Sequence, residues 1–564
     1  MKNKSSKQIL KILGVILLTI VVVNVLFSLI DFRIDLTEEK RYSLHPATIE
    51  VLENLEDPLE VEILLSGNLP GGMRRLQRSI EQTVRTFNAY SSQKISFYYL
   101  DPLTLPQAEQ EDFVVALTEY GIQPTNLFVT EDGGQKTKMI FPGVLVKDPE
   151  YETGALILKG EKGMSPDEIL NNSVENLEFE LINAIRKLVS KQQYAVGMLM
   201  GNGELEGDDG FGIVEALVED FEVFKIPLDQ AKKVDDLDPF DVLIISGPKE
   251  AYDEREIYLV DQYLMKGGNL IILPNSLAYN LDEAGGEGTV AMPFENGLEQ
   301  LLFRYGVRVN KDFVQDMNFG YYPVMAGNFG DQQQLVPLPW PFYIAAGRMA
   351  KHPVTKGLDQ VIFRFTSSLD TVKADGIKKT PLIFGSDFSR KLTAPVRVAF
   401  QDMENGPDLE SFGLSNLPLL YLLEGEFTSV FKNRFLPDGV LKESFLESGK
   451  EGRVLVAGTG DLFESSFDPR SGEPLPLGID PFSDTQYANR LLLQNMISYL
   501  VEPDGIIATR TKQYQIRPLN KVKVSQEKTK WQLINVILPV FIMGLLSLMW
   551  MFARKSRRGA KGKS

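Results

Sequence analysis

The sequence predicts an α/β protein in which two soluble domains stand between two membrane-spanning helices. Three observations predict it. Apolar runs long enough to cross a bilayer lie near both ends, at residues 12–30 and 531–552. After the first run, apolar and amphipathic segments follow in the order strand, helix, strand, helix, hairpin, helix. From about residue 194, buried-strand and helix patterns alternate, as in a parallel sheet covered on both faces. The predicted organisation is a basic tail (1–11), a first span (12–30), a first domain (31–190), a second α/β domain with insertions (191–508), a basic juxtamembrane linker (509–530), a second span (531–552) and a basic tail (553–564).

Residues 12–30 give 19 largely apolar positions, about 28 Å of helix at roughly 1.5 Å per residue. A cleaved signal peptide would have a shorter apolar region and a small-residue cleavage site, and Phe27-Ser28-Leu29-Ile30-Asp31 offers none. An uncleaved anchor is expected. Asn24 is the strongly polar residue inside it, a candidate contact with a neighbouring helix. The second span has Trp531 and Trp550 near its ends, where aromatic belts sit, with Asn535 and Pro539 inside. Four lysines in the first tail and six basic residues in the last place both termini in the cytoplasm and the body outside. Arg510, Lys512, Arg517, Lys521, Lys523, Lys528 and Lys530 oppose this, but the first helix usually sets orientation.

In the first domain, Ser43 with Pro46 just after it reads as a helix start, and Leu44, Ile49, Leu52 and Leu55 share a face. Residues 61–67 and 95–102 read as strands. Between them Leu76, Ile80, Val84 and Phe87 recur at helical spacing. A helix over 109–122, a hairpin turning at Asp132-Gly133-Gly134 and a long helix over 174–191 complete a thioredoxin-like order. Pro70-Gly71-Gly72-Met73 stands where a redox thioredoxin needs its cysteine pair, so the expected domain is a redox-inactive scaffold.

The second domain reads as strands at 194–201, 221–228, 241–248 and 269–275, with helices at 210–221 and 253–268 between them. Residues 452–465 and 485–501 add a strand and a helix, giving a doubly wound, flavodoxin-like sheet. The stretch from about 275 to 450 reads as the rest of the sheet plus insertions. It includes an aromatic loop around Leu338-Pro339-Trp340-Pro341-Phe342-Tyr343.

Composition removes several kinds of chemistry. The chain is 43% hydrophobic and 24% charged, ordinary values for a globular body to which two spans have been added. It has no cysteine, which excludes disulfides, thiolate nucleophiles and cysteine-ligated zinc. His45 and His352 are the only histidines, too few for a histidine-rich metal site. Net charge is −17, and ten basic residues lie in the two tails, so residues 12–553 carry −27. Such a body repels phosphate backbones, and no nucleic-acid partner is expected.

The strongest motif is GNGELEGDDGFG at 201–212, between a strand and a helix. It is no dinucleotide fingerprint, because Glu206 occupies the place of the third glycine. Glu204, Glu206, Asp208 and Asp209 would also repel a phosphate, and no P-loop is present. A tight turn at the carboxyl edge of a sheet is where such folds bind ligands or partners. Gly201, Asn202, Gly203, Glu204 and Glu206 are therefore a candidate ligand or partner edge, with Trp340 from the aromatic loop and His352. These acids and Asp235, Asp236 and Asp238 lack the order of a calcium loop and read as solvated surface. His352, in MAKHPVTKGLD, is a candidate general base, but no cysteine and no G-x-S-x-G elbow partners it. It reads as a turn residue beside Pro353, and His45-Pro46 as a helix-start feature. No catalytic residue, cofactor site or metal site is read, and the expected protein is not an enzyme.

Several of these stretches also carry a resemblance. R-I-D-L-T-E-E-K-R-Y-S-L (33–44) after an anchor, GNGELEG (201–207), YGVRVNKDFVQDM (305–317), HPVTKGL (352–358), GTGDLFES (458–465) and the terminal span with its basic tail resemble the gliding-motility auxiliary family GldG, among the ABC-transporter auxiliary proteins. GTGDLFES and HPVTKGL also resemble class I glutamine-amidotransferase-like domains that have lost their nucleophile. The resemblance implies an auxiliary, so-called substrate-binding subunit in the cytoplasmic (inner) membrane of Bacteroidetes-type bacteria. Its implied partners are a multi-span permease and, through it, a cytoplasmic ATPase, in gliding motility or export, with the body periplasmic. Asn24, Asn535 and Pro539 are then candidate contacts with permease helices, and the body binds a periplasmic protein or glycan. Two alternatives stand beside this: a receptor for a glycan or peptide solute, and an amidotransferase-like enzyme.

Overall fold

The computed structural model describes residues 14, 18, 19, 43–131, 134–160, 164–189, 194–329, 332–404, 408–438, 440, 442–483, 485–511 and 521–560. The chain divides into two compact units, one up to Gln513 and one from Tyr514.

The first unit begins with helix α1 (Pro46–Glu53). It starts later than the expected Ser43, because His45 is the cap: its Nδ1 accepts from Ala47 N at 3.3 Å, and Pro46 fits the first turn, where no N–H is needed. Then come β1 (Leu59–Ile63), α2 (Gly71–Tyr90), β2 (Ile95–Tyr99) and α3 (Gln107–Glu119). The hairpin β3 (Thr125–Glu131) and β4 (Gly134–Ile140) leads to β5 (Gly143–Lys147), β6 (Glu152–Leu156) and α4 (Pro166–Val189). The hairpin's Asp132 and Gly133 lie outside the described residues. A four-stranded sheet forms in the order β2-β1-β5-β6, with β1 and β2 parallel and β5 and β6 antiparallel to their neighbours. Helix α2 buries Met73, Leu76, Ile80, Val84 and Phe87, a stripe at spacings of three and four that seals one face of this sheet.

The second sheet starts with β7 (Tyr194–Met200), α5 (Phe211–Leu217), β8 (Phe221–Pro227), β9 (Val242–Ser246), α6 (Glu254–Met265) and β10 (Asn269–Leu273). A run of short elements follows: β11 (Leu277–Ala278), β12 (Thr289–Pro293), α7 (Leu298–Tyr305), β13 (Val307–Val309) and β14 (Asp312–Asp316). After them come β15 (Phe319–Phe329), β16 (Gln332–Ala346), β17 (Arg348–Met349), β18 (Val361–Arg364) and β19 (Leu369–Thr371). The rest are β20 (Ile377–Phe384), β21 (Ser389–Thr393), β22 (Val396–Val398), α8 (Gln401–Glu404), β23 (Pro418–Thr428), β24 (Ser448–Ala457) and α9 (Asn489–Val501). Eight strands line up as β17-β20-β23-β24-β10-β9-β7-β8.

This sheet is mixed, where the alternation of strands and helices suggested parallel strands throughout. Strands β8, β7, β9, β10 and β24 are parallel, whereas β23, β20 and β17 add on antiparallel. Among the described residues, short strands and the single-turn α8 lie between β20 and β23 and no α-helix lies between β23 and β24, whereas a parallel pair usually carries a crossover helix. The inner parallel strands β7, β9 and β10 are buried on both faces, whereas the edge strand β8 is largely exposed. Val196, Met198, Ile244 and Ile271 meet Ile213, Leu217, Leu492 and Met496 of α5 and α9. Their neighbours Leu199, Leu243, Ile245 and Ile272 meet Ile257, Val260, Leu298 and Leu301 of α6 and α7.

The expected aromatic loop at 338–343 is instead part of β16, paired with β15 and, near its end, with β18. Prolines inside a strand argue for a loop, but Pro337, Pro339 and Pro341 alternate, so their missing N–H groups fall on one side of the strand. Over Gln332–Trp340 that strand pairs with β15 alone, and an open edge tolerates proline.

The two sheets are joined inside the first unit by the turn Ile506–Thr511. Arg510, expected in an exposed basic linker, is only 6% exposed. Its Nη1 donates to Asn495 Oδ1 at 2.9 Å and to the Lys356 carbonyl at 3.2 Å. Its Nη2 lies 3.9 Å from Glu180, and the guanidinium carbon sits 3.7 Å from the centre of the Phe179 ring. Lys187–Asp220 at 3.0 Å, Lys356–Glu175 at 3.5 Å and a Tyr194–Glu502 hydrogen bond lie along the same seam.

The second unit contains helix α10 (Lys521–Ala560). Gln526–Met551 within it spans 26 residues at a mean hydropathy of 2.2, with none of its apolar window buried in the chain. Asn535 and Pro539 belong to this stretch, whereas the span expected at 12–30, Asn24 included, lies outside the described residues but for positions 14, 18 and 19.

Arg510→Ala takes the donor from Asn495 Oδ1 and the Lys356 carbonyl and opens a gap over Phe179, while Glu180 keeps Lys159 at 3.5 Å. Losing two buried hydrogen bonds from a charged donor costs about 3 kcal/mol, and urea unfolding of the body is expected to lose that much. An unchanged midpoint would show that the seam holds without it.

Candidate functional site

The loops leaving the carboxyl ends of β7, β9, β10 and β24 meet at one edge of the second sheet. They are knitted by backbone. The Asn202 carbonyl accepts from Lys249 N at 2.9 Å and Glu250 N at 2.8 Å, and Ser246 O accepts from Leu205 N at 3.0 Å. Gly460 N donates to Asn275 Oδ1 at 3.0 Å, and Ser246 Oγ donates to the Gly460 carbonyl at 3.2 Å. Gly460 packs so closely on Gly247 that a Cβ there would overlap the Gly247 Cα.

The residues singled out in the sequence fall in three places. Gly201, Asn202, Gly203, Glu204 and Glu206 share the loop after β7, with Gly201 at φ +125° and Gly203 at φ +73°. Asn202 and Glu204 are buried. Glu204 accepts from Asn202 N at 2.8 Å and from the Tyr252 hydroxyl, while Asn202 Nδ2 donates to Glu256 Oε2 at 3.2 Å. Glu256 also closes the capping box of α6 with Asp253. These polar groups brace the loop against α6, and of the two glutamates Glu206 alone faces solvent. Trp340 is 1% exposed, inside a cluster with Tyr322, Phe342, Tyr343, Phe365 and Phe400. His352 stands elsewhere. Its Nδ1 accepts from Val354 N at 3.3 Å, and its ring lies 4.7 Å from Tyr499, whose hydroxyl donates to Glu424 at 2.8 Å. Burial holds its imidazole below the ordinary histidine range.

Beside the Trp340 cluster opens a cleft of about 240 Å³. Arg364, the last residue of β18, forms its polar wall. Its Nη2 donates to Ser466 Oγ at 2.7 Å, its Nη1 lies 3.7 Å from Glu464 Oε2, and its guanidinium sits 5.5 Å from the Tyr343 ring centre. Among the described residues its Nε has no hydrogen-bond partner. Both side chains keep some exposure, 20% for Arg364 and 31% for Glu464, and both line the cleft. Tyr321, Tyr343, Phe467, Phe482 and Tyr487 supply aromatic surface around them. A paired cation and anion framed by aromatic rings suits a compact ligand with polar groups on its rim and an apolar face. Among the described residues, no group of three or more His, Cys, Asp or Glu is placed to hold a metal ion.

The sequence reading missed this cleft. Arg364 falls in the stretch from about 275 to 450 that reads as the rest of the sheet plus insertions, and Glu464 in the strand segment 452–465, where GTGDLFES carries a resemblance and no site. The legible signal was charge: an arginine alternating with phenylalanines in Phe363-Arg364-Phe365 must find a partner when the strand is buried.

Burial and the neighbouring Asp461 push the Glu464 carboxyl up to about 7, against the pull of Arg364. Asp461, which accepts from the Tyr279 hydroxyl at 2.8 Å, is also raised by burial. The folded state therefore holds the Glu464 proton more tightly than the unfolded chain. Its contribution to stability is full below about pH 4.5, the ordinary glutamate value, and is lost as pH rises toward 7. Thermal melting across this window should fall more steeply for the native protein than for Glu464→Gln; equal slopes would contradict the assignment.

Comparison with known proteins gives this edge a context. Residues 193–496, more than half of the chain, match the family model described as an ABC-type uncharacterized transport system. Residues 38–147 match a domain of unknown function, DUF7088. An uncharacterized protein of Borreliella burgdorferi is 20% identical over 469 residues, which covers 82% of this chain and 84% of that one. Among solved structures, the N-terminal domain of mmIFT52 is similar at a TM-score of 0.30 and 13% identity, over 57% of this chain and all of that one. A ThuA-like protein of Bacteroides uniformis is similar at 0.28 and 11%, over 57% and 98%. The second sheet, its carboxyl edge and the Arg364 cleft all fall within the stretch that the transport-system model matches, and the chain belongs to the ABC-transporter auxiliary family.

Proposed function

We propose that the protein is a membrane-anchored, non-catalytic subunit of an ABC-type transport complex. Family membership makes it transport-associated. The observation that carries the anchoring is α10, whose apolar stretch Gln526–Met551 leaves its side chains without cover from the chain itself. Residues 12–30 supply a second span in this reading, with both tails cytoplasmic and the body periplasmic. The spans pack on a permease, with Asn24, Asn535 and Pro539 at the contacts, and a separate cytoplasmic ATPase hydrolyses ATP. Within the auxiliary family we place the chain nearest the gliding-motility GldG branch, acting in motility or export.

The two sheets fit the same reading. The first, with order β2-β1-β5-β6 and a helix crossing between its parallel pair, supports a thioredoxin-like fold. The parallel order β8-β7-β9-β10-β24 is the flavodoxin-like order 2-1-3-4-5 and supports a degenerate amidotransferase-like domain. An amidotransferase would need a nucleophilic cysteine that the chain lacks.

A second reading makes the body a solute receptor, and the Arg364 cleft favours it, since its volume and aromatic frame suit a single sugar ring or amino-acid residue. Thermal shifts with a glycan and peptide panel that disappear in Arg364→Met would support it.

Affinity purification of the tagged protein from its own membranes in mild detergent tests the leading reading. A permease and an ATPase should co-elute in fixed ratio. Recovery of the protein alone, with its fold intact, would overturn the proposal.

A further inference from the structure

On the face of the second sheet away from the Arg364 cleft's wall, α7, β13 and the loop after β23 enclose a groove of about 1260 Å³. Its charge departs from that of the body. Six of its lining side chains are basic and three acidic, in a chain whose net charge is −17. Four of the six cations are already engaged: Arg308 with Asp370 at 2.9 Å, Lys311 with Glu299 at 2.8 Å, Lys373 with Asp375 at 3.5 Å and Lys432 with Glu447 at 3.8 Å. Among the described residues, Arg304 and Arg434 have no carboxylate within 4.0 Å.

Arg434 is also held in position. Its Nη1 donates to Gln300 Oε1 on α7 at 2.7 Å, which ties the loop to the helix and leaves its other guanidinium N–H groups for a partner. Large apolar side chains accompany these charges. Phe303, on α7, lines the groove and is 55% exposed, and Phe435, next to Arg434, is 99% exposed. Leu298, Leu301, Leu302 and Tyr305 of the same helix are buried, so Phe303 belongs to the face the core does not use.

We propose that this groove docks an acidic segment of a partner protein, with Arg304 and Arg434 receiving its carboxylates and Phe303 and Phe435 receiving its apolar side chains. The chemistry selects the occupant. A free inorganic anion would use the two arginines and leave both rings in water. A flat lipid surface does not follow a concave groove, and a polynucleotide's continuous phosphates would run beyond the two arginines into the negative charge around them, where a short segment ends. An acidic protein segment uses both kinds of side chain. Repulsion from the rest of this acidic body then favours this basic groove over the surface around it, which fixes its register.

Binding to the full-length protein in detergent tests this, with a short fluorescein-labelled peptide of glutamates punctuated by two phenylalanines. The same peptide with lysine for glutamate is the control. The acidic peptide should bind at least tenfold more tightly than the control and weaken as salt rises. The pair Arg304→Glu and Arg434→Glu should reduce affinity tenfold or more, whereas Gln300→Ala, which removes the Arg434 tie and keeps both charges, should reduce it less than threefold. Phe435→Ser should weaken binding and leave its salt dependence unchanged. The proposal fails if the charge-reversed protein binds the acidic peptide as the native one does, or if the lysine peptide binds equally well. It also fails if phosphatidylglycerol vesicles bind at these arginines and the acidic peptide does not.

Discussion

The architecture turns on one buried arginine. A guanidinium that leaves water loses strong hydration, and it is tolerated only where hydrogen bonds, a counter-charge or an aromatic face replace it. Arg510 has all three: Asn495 and the Lys356 carbonyl from the second sheet's side, and Glu180 with Phe179 from helix α4 of the first. Each partner alone would be a weak exchange for solvent. Together they make separation of the two sheets costly, because Arg510 would lose either Asn495 and the Lys356 carbonyl or the Phe179 face, although Glu180 keeps Lys159 at 3.5 Å. That is a physical reason why residues up to Gln513 form one compact unit although their two largest sheets are separate.

The same logic of satisfied polar groups organises the carboxyl edge. Four loops converge there, and their backbone groups must be paired as they approach. Glycine at 247 and 460 permits the close contact, and Asn202, Glu204, Tyr252 and Glu256 form a closed polar set beneath it. What remains unspent lies next door, where Arg364 and Glu464 face each other loosely at 3.7 Å across an aromatic cleft. The acidic loop therefore acts as scaffold, and the chemistry available to a ligand belongs to residues supplied by β18 and the turn after β24.

How much of this was legible in the sequence depended on whether a side chain's role is local. The stripe Leu76, Ile80, Val84, Phe87 announces α2 because helical periodicity is a property of neighbours in sequence. The strand runs at 194–200 and 269–273 were legible for the same reason. Pro337, Pro339 and Pro341 misled, because their compatibility with a strand depends on which edge is unpaired, and no local pattern reports that. Arg510 looked like one more linker cation, since its partners stand 15 to 331 positions away along the chain. The acids at 204 and 206 looked alike, yet one turns inward to Tyr252 and the other to solvent. Arg364 and Glu464 come together only through the fold, and a cleft built in that way leaves no motif.

The central claim, that the two sheets move as one body, is open to a direct distance measurement, helped by the absence of native cysteine. Spin labels on single cysteines at the exposed positions Gln82, on α2, and Glu254, on α6, would report the separation of the two sheets by pulsed electron resonance. One narrow distance distribution is predicted, unchanged when the protein is reconstituted into bilayers. A broad or two-peaked distribution in the native protein would contradict the account, because it would mean that the Arg510 seam opens while both sheets stay folded.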